Sequence, residues 1–238
     1  MNICTISPRR SQFPIDLFKD RSGFVRAFRT LLYAEPSLKG RVLDIGCGKG
    51  RMNELLSDFP QQCSSLDGVD PSEDVLEHPF LINRWHSTFE DAPIPPHAYD
   101  LAVAYNVVEH LRHPENFMRQ LARVLKPGGV FWALTPHALH PFCWISRTLQ
   151  EVGLKHGIAS RHKNVNDYPA YYRLNRKGKI TRLAQRNGFS NATIYYFPCE
   201  NWDSYFPRVL KWAPHLFDAA VGMRLPQFMQ ILAFRLQC

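Results

Sequence analysis

Apolar runs of strand length alternate with segments of helical period along most of this chain, the pattern of an α/β fold built on a parallel sheet. RVLDI (41–45) predicts a first strand, feeding a helix over GRMNELLSDF (50–59). SSLDGVD (64–70) predicts a second strand ending on Asp70, and PSEDVLEH opens a helix with Pro71 in its first turn. FLINRWH (80–86) reads as a weaker third strand. YDLAVAYNVV (99–108), apolar at almost every position, reads as a fourth that is covered on both faces. The segment HPENFMRQLARVLKPGG sets Phe117, Met118, Leu121, Val124 and Leu125 on one helical face, starts at Pro114 and stops at Pro127-Gly128-Gly129. VFWALTP (130–136) follows as a fifth strand, GKITRLAQRNGF (178–189) as a crossover helix closed by Gly188, and ATIYYFP and QFMQILAFRLQ as two closing strands.

These elements make one domain: an N-terminal helical segment (1–40), a core (41–136), a cap (137–175) and a C-terminal helix with strands and an insertion (176–238). The cap is longer than an ordinary connection and rich in Pro and His, which suits a cover over a site. A composition 45% hydrophobic and 21% charged excludes a disordered chain. Charged residues interrupt every apolar stretch before it reaches membrane-spanning length, and the start lacks a secretory core, so the expected location is the cytoplasm. Cys4, Cys47, Cys63, Cys143, Cys199 and Cys238 form no Cys-x-x-Cys pair, which argues against a zinc site and a disulfide framework. The net charge of +8 is compatible with nucleic acid, anionic lipid or acidic metabolites and selects none of them.

Gly46, Gly48 and Gly50 follow the first strand at the end of the sheet where α/β proteins bind ligands. The dinucleotide fingerprint requires glycine where Arg51 stands, and the phosphate loop requires Ser or Thr where Gly50 stands, so neither pattern is met. VLDIGCGKG instead resembles the first motif of class I S-adenosylmethionine-dependent methyltransferases. GVDPS (68–72), YDLAVAYNVVEHL (99–111) and RVLKPGGVFWALTP (123–136) are similar to that family's later motifs, in the same order and spacing. The resemblance covers roughly residues 38–136 and implies a Rossmann-like seven-stranded sheet with helices on both faces, its last strand antiparallel, and a helical cap after the fifth strand.

It also implies S-adenosylmethionine as cofactor, and the residue types agree. A sulfonium ligand carries positive charge, an amino group and a ribose diol, and so calls for carboxylates rather than a phosphate site. By resemblance, Asp44 orients the glycine loop (Gly46, Cys47, Gly48, Gly50) and the methionine amino group. Asp70, followed by Pro71, offers two carboxylate oxygens to the ribose hydroxyls. The segment of the adenine pocket holds Thr88 and Phe89 at the aligned positions, leaving the contact to the exocyclic amine to Glu90, Asp91 or backbone groups. Asn106 is expected at the methionine end.

Methyl transfer is an in-line displacement in which a hydroxyl nucleophile benefits from a base, and histidine is the first candidate by type. His110 follows the fourth strand, and His137 and His140 follow the fifth, all at the cofactor end. His110 reads either as packing in EHL or as a base, and His137 and His140 as base or acceptor contacts. His137-x-x-His140 lacks a third ligand, so no metal is expected. The fourth strand ends AYNVVEH, without the Pro-Pro-aromatic turn of amino-group enzymes and without the Pro-Cys of carbon-5 cytosine enzymes. The stretch 155–186 carries nine Lys or Arg against Asp167 alone, with Tyr168, Tyr171, Tyr172 and Arg173 as candidate acceptor contacts. A small-molecule acceptor, anionic in one reading, methylated on oxygen or nitrogen, fits these features. An RNA or protein substrate gripped by the basic cap, and a non-catalytic binding module, are the alternatives. Residues 201–223 interleave aromatics with Arg208 and Lys211, as a lid, a dimer surface or a peripheral membrane contact would. Monomer and homodimer both remain open.

Overall fold

The computed structural model describes residues 23–50, 59–141, 143–144, 147–148, 168–197, 216–217, 220, 224–225 and 228–238. Seven strands, β1 (Arg41–Ile45), β2 (Ser65–Asp70), β3 (Arg84–His86), β4 (Tyr99–Tyr105), β5 (Leu125–Pro136), β6 (Asn191–Phe197) and β7 (Ile231–Gln237), form one sheet of order β3-β2-β1-β4-β5-β7-β6. Strands β1 to β5 run parallel to one another, and β7 is antiparallel to both β5 and β6.

Alternation along the central strands feeds two cores. Leu43 and Ile45 of β1, Phe131 and Ala133 of β5, and Leu232 and Phe234 of β7 point to one face. There they meet α2 (Pro114–Val124), through Phe117, Met118, Leu121 and Val124, and α3 (Lys177–Arg186), through Ile180, Leu183 and Ala184. Val42, Leu101, Trp132 and Ala233 point to the other face, against Ala27, Phe28 and Leu32 of α1 (Gly23–Tyr33). Phe131 is held edge-on between Phe117 (5.8 Å) and Phe234 (5.7 Å), and Trp132 lies 5.9 Å from Phe28 and stacks on Tyr195 at 5.6 Å. With both faces covered, the strands read as continuous apolar runs.

Two buried carboxylates fasten the sheet. Asp67 of β2 accepts from Arg41 (2.7 and 3.0 Å), the Tyr99 hydroxyl (2.7 Å) and both nitrogens of Asn83 (2.9 and 3.0 Å), tying β1, β4 and the approach to β3 to one group. Glu35, after α1, accepts from Arg235 of β7 (2.7 Å) and from the Trp132 indole (3.1 Å).

Several boundaries differ from the sequence reading. The helix expected over 50–59 falls mostly on residues outside the described set, and Phe59–Gln61 is a 3₁₀ turn. After Asp70 the chain makes only the short 3₁₀ turn Glu73–Glu77, because His78 precedes Pro79 and is forced extended (ψ 122°). The third strand is confined to three residues at the sheet edge. Strand β4 stops at Tyr105, since Asn106 takes a left-handed φ of 54° and turns the chain into the 3₁₀ turn Val108–His110. Leu125 belongs to β5 rather than to the helix: Gly128 (φ 78°) accommodates a register shift opposite Tyr99 and Leu101, so the strand passes through Lys126–Gly129. Most of the expected cap, 149–167 among it, and residues 198–215 of the insertion lie outside the described residues. Among the described residues, no helix is long and apolar enough to cross a membrane.

Candidate functional site

A cleft of about 880 Å³ opens over the carboxyl ends of β1, β2 and β4, a volume in the range of small-molecule sites. Its floor is the β1 loop. Gly46 (φ 74°) donates to the Val69 carbonyl (2.7 Å), and a Cβ there would collide with Val107 of the β4 loop, so only glycine fits this crossing. Gly48 (φ 49°) is the opposite case: a Cβ would meet nothing within 4 Å, and its backbone faces open space that a ligand can fill. Lys49 reaches across to Asp74 (3.2 Å) and Glu77 (2.8 Å), joining the glycine loop to the turn after β2.

Asp70 organises this floor. Its Oδ2 accepts from the Gly48 amide (2.9 Å) and its Oδ1 from the Ser72 amide (2.7 Å), so the carboxylate pins both loops while each oxygen keeps a second lone pair. Asp44 stands on the same face of the sheet, opposite Gly68 in register. It is buried, its Oδ1 has no hydrogen-bond partner, and burial followed by the charge of Asp70 pushes its carboxyl up to about 8. A buried carboxylate with an unsatisfied oxygen beside a second carboxylate is costly without a cation. The ammonium and sulfonium end of S-adenosylmethionine is such a cation, and the cradle above Gly48 leaves room for it. The residues therefore fit the cofactor that the motifs imply. Cys47 also lines the cleft; burial, then Asp44 and Asp70, raise its thiol pKa, which keeps it protonated and unreactive.

Pro71, Thr88, Phe89 and Glu90 line the side of the cleft beyond Asp70. Phe89 is buried against Phe117 (5.0 Å) and presents an apolar wall. Thr88 donates to Asp91 (2.6 Å), which engages both side chains with each other. Glu90 has no such bond to Thr88, and burial raises its carboxyl pKa. Asn106 lies at the end of β4, facing the cleft, its amide donating to the Leu134 carbonyl (2.8 Å).

Of the three candidate histidines, the structure brings only His110 to the cleft. Its Nδ1 donates to the Pro169 carbonyl (3.0 Å) and its ring meets Tyr168 edge-on at 6.1 Å. Because a carbonyl cannot donate, Nδ1 carries the hydrogen and Nε2 of the neutral ring is the basic nitrogen. His137 and His140 are buried and do not line the cleft. His137 Nδ1 donates to the Met229 carbonyl (3.1 Å), its amide to Gln230 (2.6 Å), and burial pushes its imidazole down to about 4. His140 packs edge-on to Phe217 at 5.5 Å. Pairing of β5 with β7 through Pro136 and Ile231 draws this segment into the core rather than over the cofactor.

Tyr168 lines the cleft, whereas Tyr171, Tyr172 and Arg173 are not among its lining residues. The amides of Tyr171 (2.7 Å) and Tyr172 (3.0 Å) both donate to the Glu109 carbonyl, pinning the cap to the β4 exit. Lys49, Asp74, Arg112 and His113 also line the cleft and were not singled out from sequence. Arg112 and His113 carried a signal, being two basic groups directly after EHL.

Comparison with known proteins follows the same line. The family profile described as a methyltransferase domain matches residues 17–194. A ubiquinone biosynthesis O-methyltransferase of Coxiella burnetii is 25% identical over 182 residues, covering 69% of this chain and 71% of that protein. A Mycolicibacterium smegmatis protein named "Probable S-adenosylmethionine-dependent methyltransferase" is 31% identical over 102 residues, 41% of this chain and 38% of its own length. This chain thus spans about two-fifths of the length of that relative. The fold matches the crystal structure of a SAM-dependent methyltransferase from Archaeoglobus fulgidus with a TM-score of 0.57 at 19% identity, over 93% of this chain and 96% of that one.

Proposed function

This chain belongs to the class I S-adenosylmethionine-dependent methyltransferases, and from that membership we propose that it methylates a hydroxyl oxygen of a small-molecule acceptor seated at the His110 end of the cleft. The bound donor supplies an electrophilic methyl group on a sulfonium centre. Asp44 and the open backbone at Gly48 hold the cationic end of that donor, Asp70 takes the ribose diol, and Phe89 with Glu90 closes over the adenine. His110 takes the acceptor's proton on Nε2, while its Nδ1 bond to Pro169 keeps the ring in that tautomer. Tyr168, packed on His110, covers the acceptor and limits water.

The observation that carries this reading is His110, a cleft histidine whose ring orientation is fixed by its Nδ1 bond to the Pro169 carbonyl. Oxygen as the methylated atom is supported by the relatives named for ubiquinone O-methylation. The first test is calorimetry with S-adenosylhomocysteine, with NAD as control. Micromolar binding of the former alone is expected, and binding of NAD alone would refute the donor assignment. Labelled methyl donor is then offered with phenols and hydroxy acids against amines of matched shape. Once an acceptor is found, His110→Asn is expected to lower kcat about 10²- to 10⁴-fold with homocysteine-product affinity unchanged. Amines accepted in preference to hydroxyls would overturn the oxygen assignment.

A further inference from the structure

The cleft is electrically divided. Asp70 and Asp74 line its donor end, with Asp44 buried beneath the glycine loop and Lys49 paired to Asp74, whereas the loop leaving β4 brings His110, Arg112 and His113 to the other. Helix α2 starts immediately after, with no side-chain cap on His113, so the positive end of its dipole faces the same region.

Behind Arg112 stands a second guanidinium. Arg112 Nη2 donates to the Tyr171 hydroxyl (3.0 Å), and Arg173 Nη1 donates to the Arg112 carbonyl (2.7 Å). Both guanidiniums lie over the Tyr171 ring, at 5.6 and 5.4 Å from its centroid. The ring is fixed in turn by the Tyr171 amide bond to Glu109 (2.7 Å). Two like charges are thus held against one aromatic ring, and among the described residues no carboxylate pairs with either. The nearby Glu115 is engaged by Lys179 (2.6 Å), and Glu109 accepts from Thr135 (2.8 Å). Each guanidinium has five N–H donors and spends one on the bonds above, leaving forked donors of the geometry that carboxylates and phosphates accept.

We propose that Arg112 and Arg173, braced on Tyr171, form an oxyanion clamp, and that the acceptor carries a carboxylate or phosphate group in addition to the oxygen that is methylated. The clamp rests on the methyl-transfer reading for its purpose and on the geometry of these three residues for its chemistry. Placing the anion at Arg112, two residues beyond His110 on one short loop, orients the acceptor so that its hydroxyl meets Nε2. Specificity then comes from a feature remote from the reacting oxygen.

The test reads the two arginines directly. Protein labelled with nitrogen-15 on arginine is titrated with inorganic phosphate and, separately, with acetate, using acetamide as the neutral control, and the side-chain Nε–H resonances are followed. Saturable shifts at Arg112 and Arg173 with phosphate, acetate or both are expected, with none from acetamide; which anion binds more tightly identifies the group. Arg112→Gln and Arg173→Gln are each expected to weaken anion binding about tenfold. Equal shifts with acetamide, no saturable shift with either anion, or undiminished binding in both variants would overturn the clamp. S-adenosylhomocysteine affinity is measured in parallel on the same variants. Its absence from wild type would sink the donor reading while leaving the anion result to stand or fall alone.

Discussion

Binding of a cationic donor over Asp44 is expected to release a proton. The free protein holds this carboxyl near 8, so at pH 7 about nine molecules in ten carry it neutral. The ammonium and sulfonium charges favour the ionised form, and S-adenosylmethionine binding at pH 7 should therefore expel about 0.9 proton. If only the ionised form binds tightly, affinity rises about tenfold per pH unit below pH 8 and levels off above it, close to a hundredfold between pH 6 and pH 9. The assay is calorimetry in two buffers of different ionisation enthalpy, whose difference in apparent heat counts protons. Asp44→Asn is the control: it should bind more weakly at pH 9 and release no proton at pH 7, which separates Asp44 from the ligand's own amino group. The free protein gives a second reading. A carboxyl raised above its ordinary 3.8 stabilises the fold fully below that value, and this contribution is lost as pH rises through 8, at about 1.4 kcal/mol per unit. Thermal stability of the unliganded protein should fall across that window, and donor should restore more of it at pH 8 than at pH 6. Zero proton release with affinity flat from pH 6 to 9 would refute the carboxylate-to-cation reasoning.

Asp70→Ala removes the acceptor for the Gly48 and Ser72 amides as well as the proposed ribose contact, so S-adenosylhomocysteine affinity should fall at least about a hundredfold; calorimetry showing wild-type affinity would sink the assignment. Gly46→Ala forces a Cβ against Val107 at a positive φ and should destabilise by about 2 kcal/mol or more, seen as a Tm several degrees lower even without ligand. Glu35→Ala leaves the half-buried Arg235 without its carboxylate and the Trp132 indole without its acceptor, and should cost about 2 kcal/mol in denaturant unfolding. Burial alone would raise Glu35, but the bonds from Arg235 and Trp132 outweigh it and hold the carboxyl below its ordinary 4.5. Its contribution is therefore present above that value and lost as pH falls through the folded one, an acid-side drop in Tm that Glu35→Gln should lack.

The glycine-loop floor of the cleft was legible because it is local. Gly46, Gly48 and Gly50 follow β1 directly, and Asp70 ends the next strand, so a strand pattern and its punctuation locate all four. The succession of the first five strands along the chain follows from the same alternation, whereas their order in the sheet does not. The acceptor half was not legible, because side-chain direction there depends on distant partners. His137 and His140 sit at the right end of β5, yet Met229 and Gln230, just ahead of β7 and nearly a hundred residues on, hold His137 inward, and His140 bonds back to His137. His110 faces the cleft because Pro169 and Tyr168 meet it, a contact between segments 59 residues apart. Likewise the basic run after 155 drew notice to charge in general, whereas the paired guanidiniums need Arg112 from another segment. Where an element ends early, the cause is backbone chemistry at one residue, as with Asn106 after β4 and the Pro79 neighbour His78 after the 3₁₀ turn.

The position of β7 has a consequence for how the protein is made. It is synthesised last of the seven strands and yet occupies an interior slot, with β5 on one side and β6 on the other. Until residues 231–237 leave the ribosome, β5 presents an open hydrogen-bonding edge beside Trp132, and β6 has no neighbour at all. Arg235 also arrives 200 residues after the Glu35 it must neutralise. The glycine-loop half can therefore collapse early during translation, while the nascent sheet stays an exposed template for other chains. Truncation even within β7 should yield aggregates rather than a smaller working enzyme, and quality control in the cell would act on this last step.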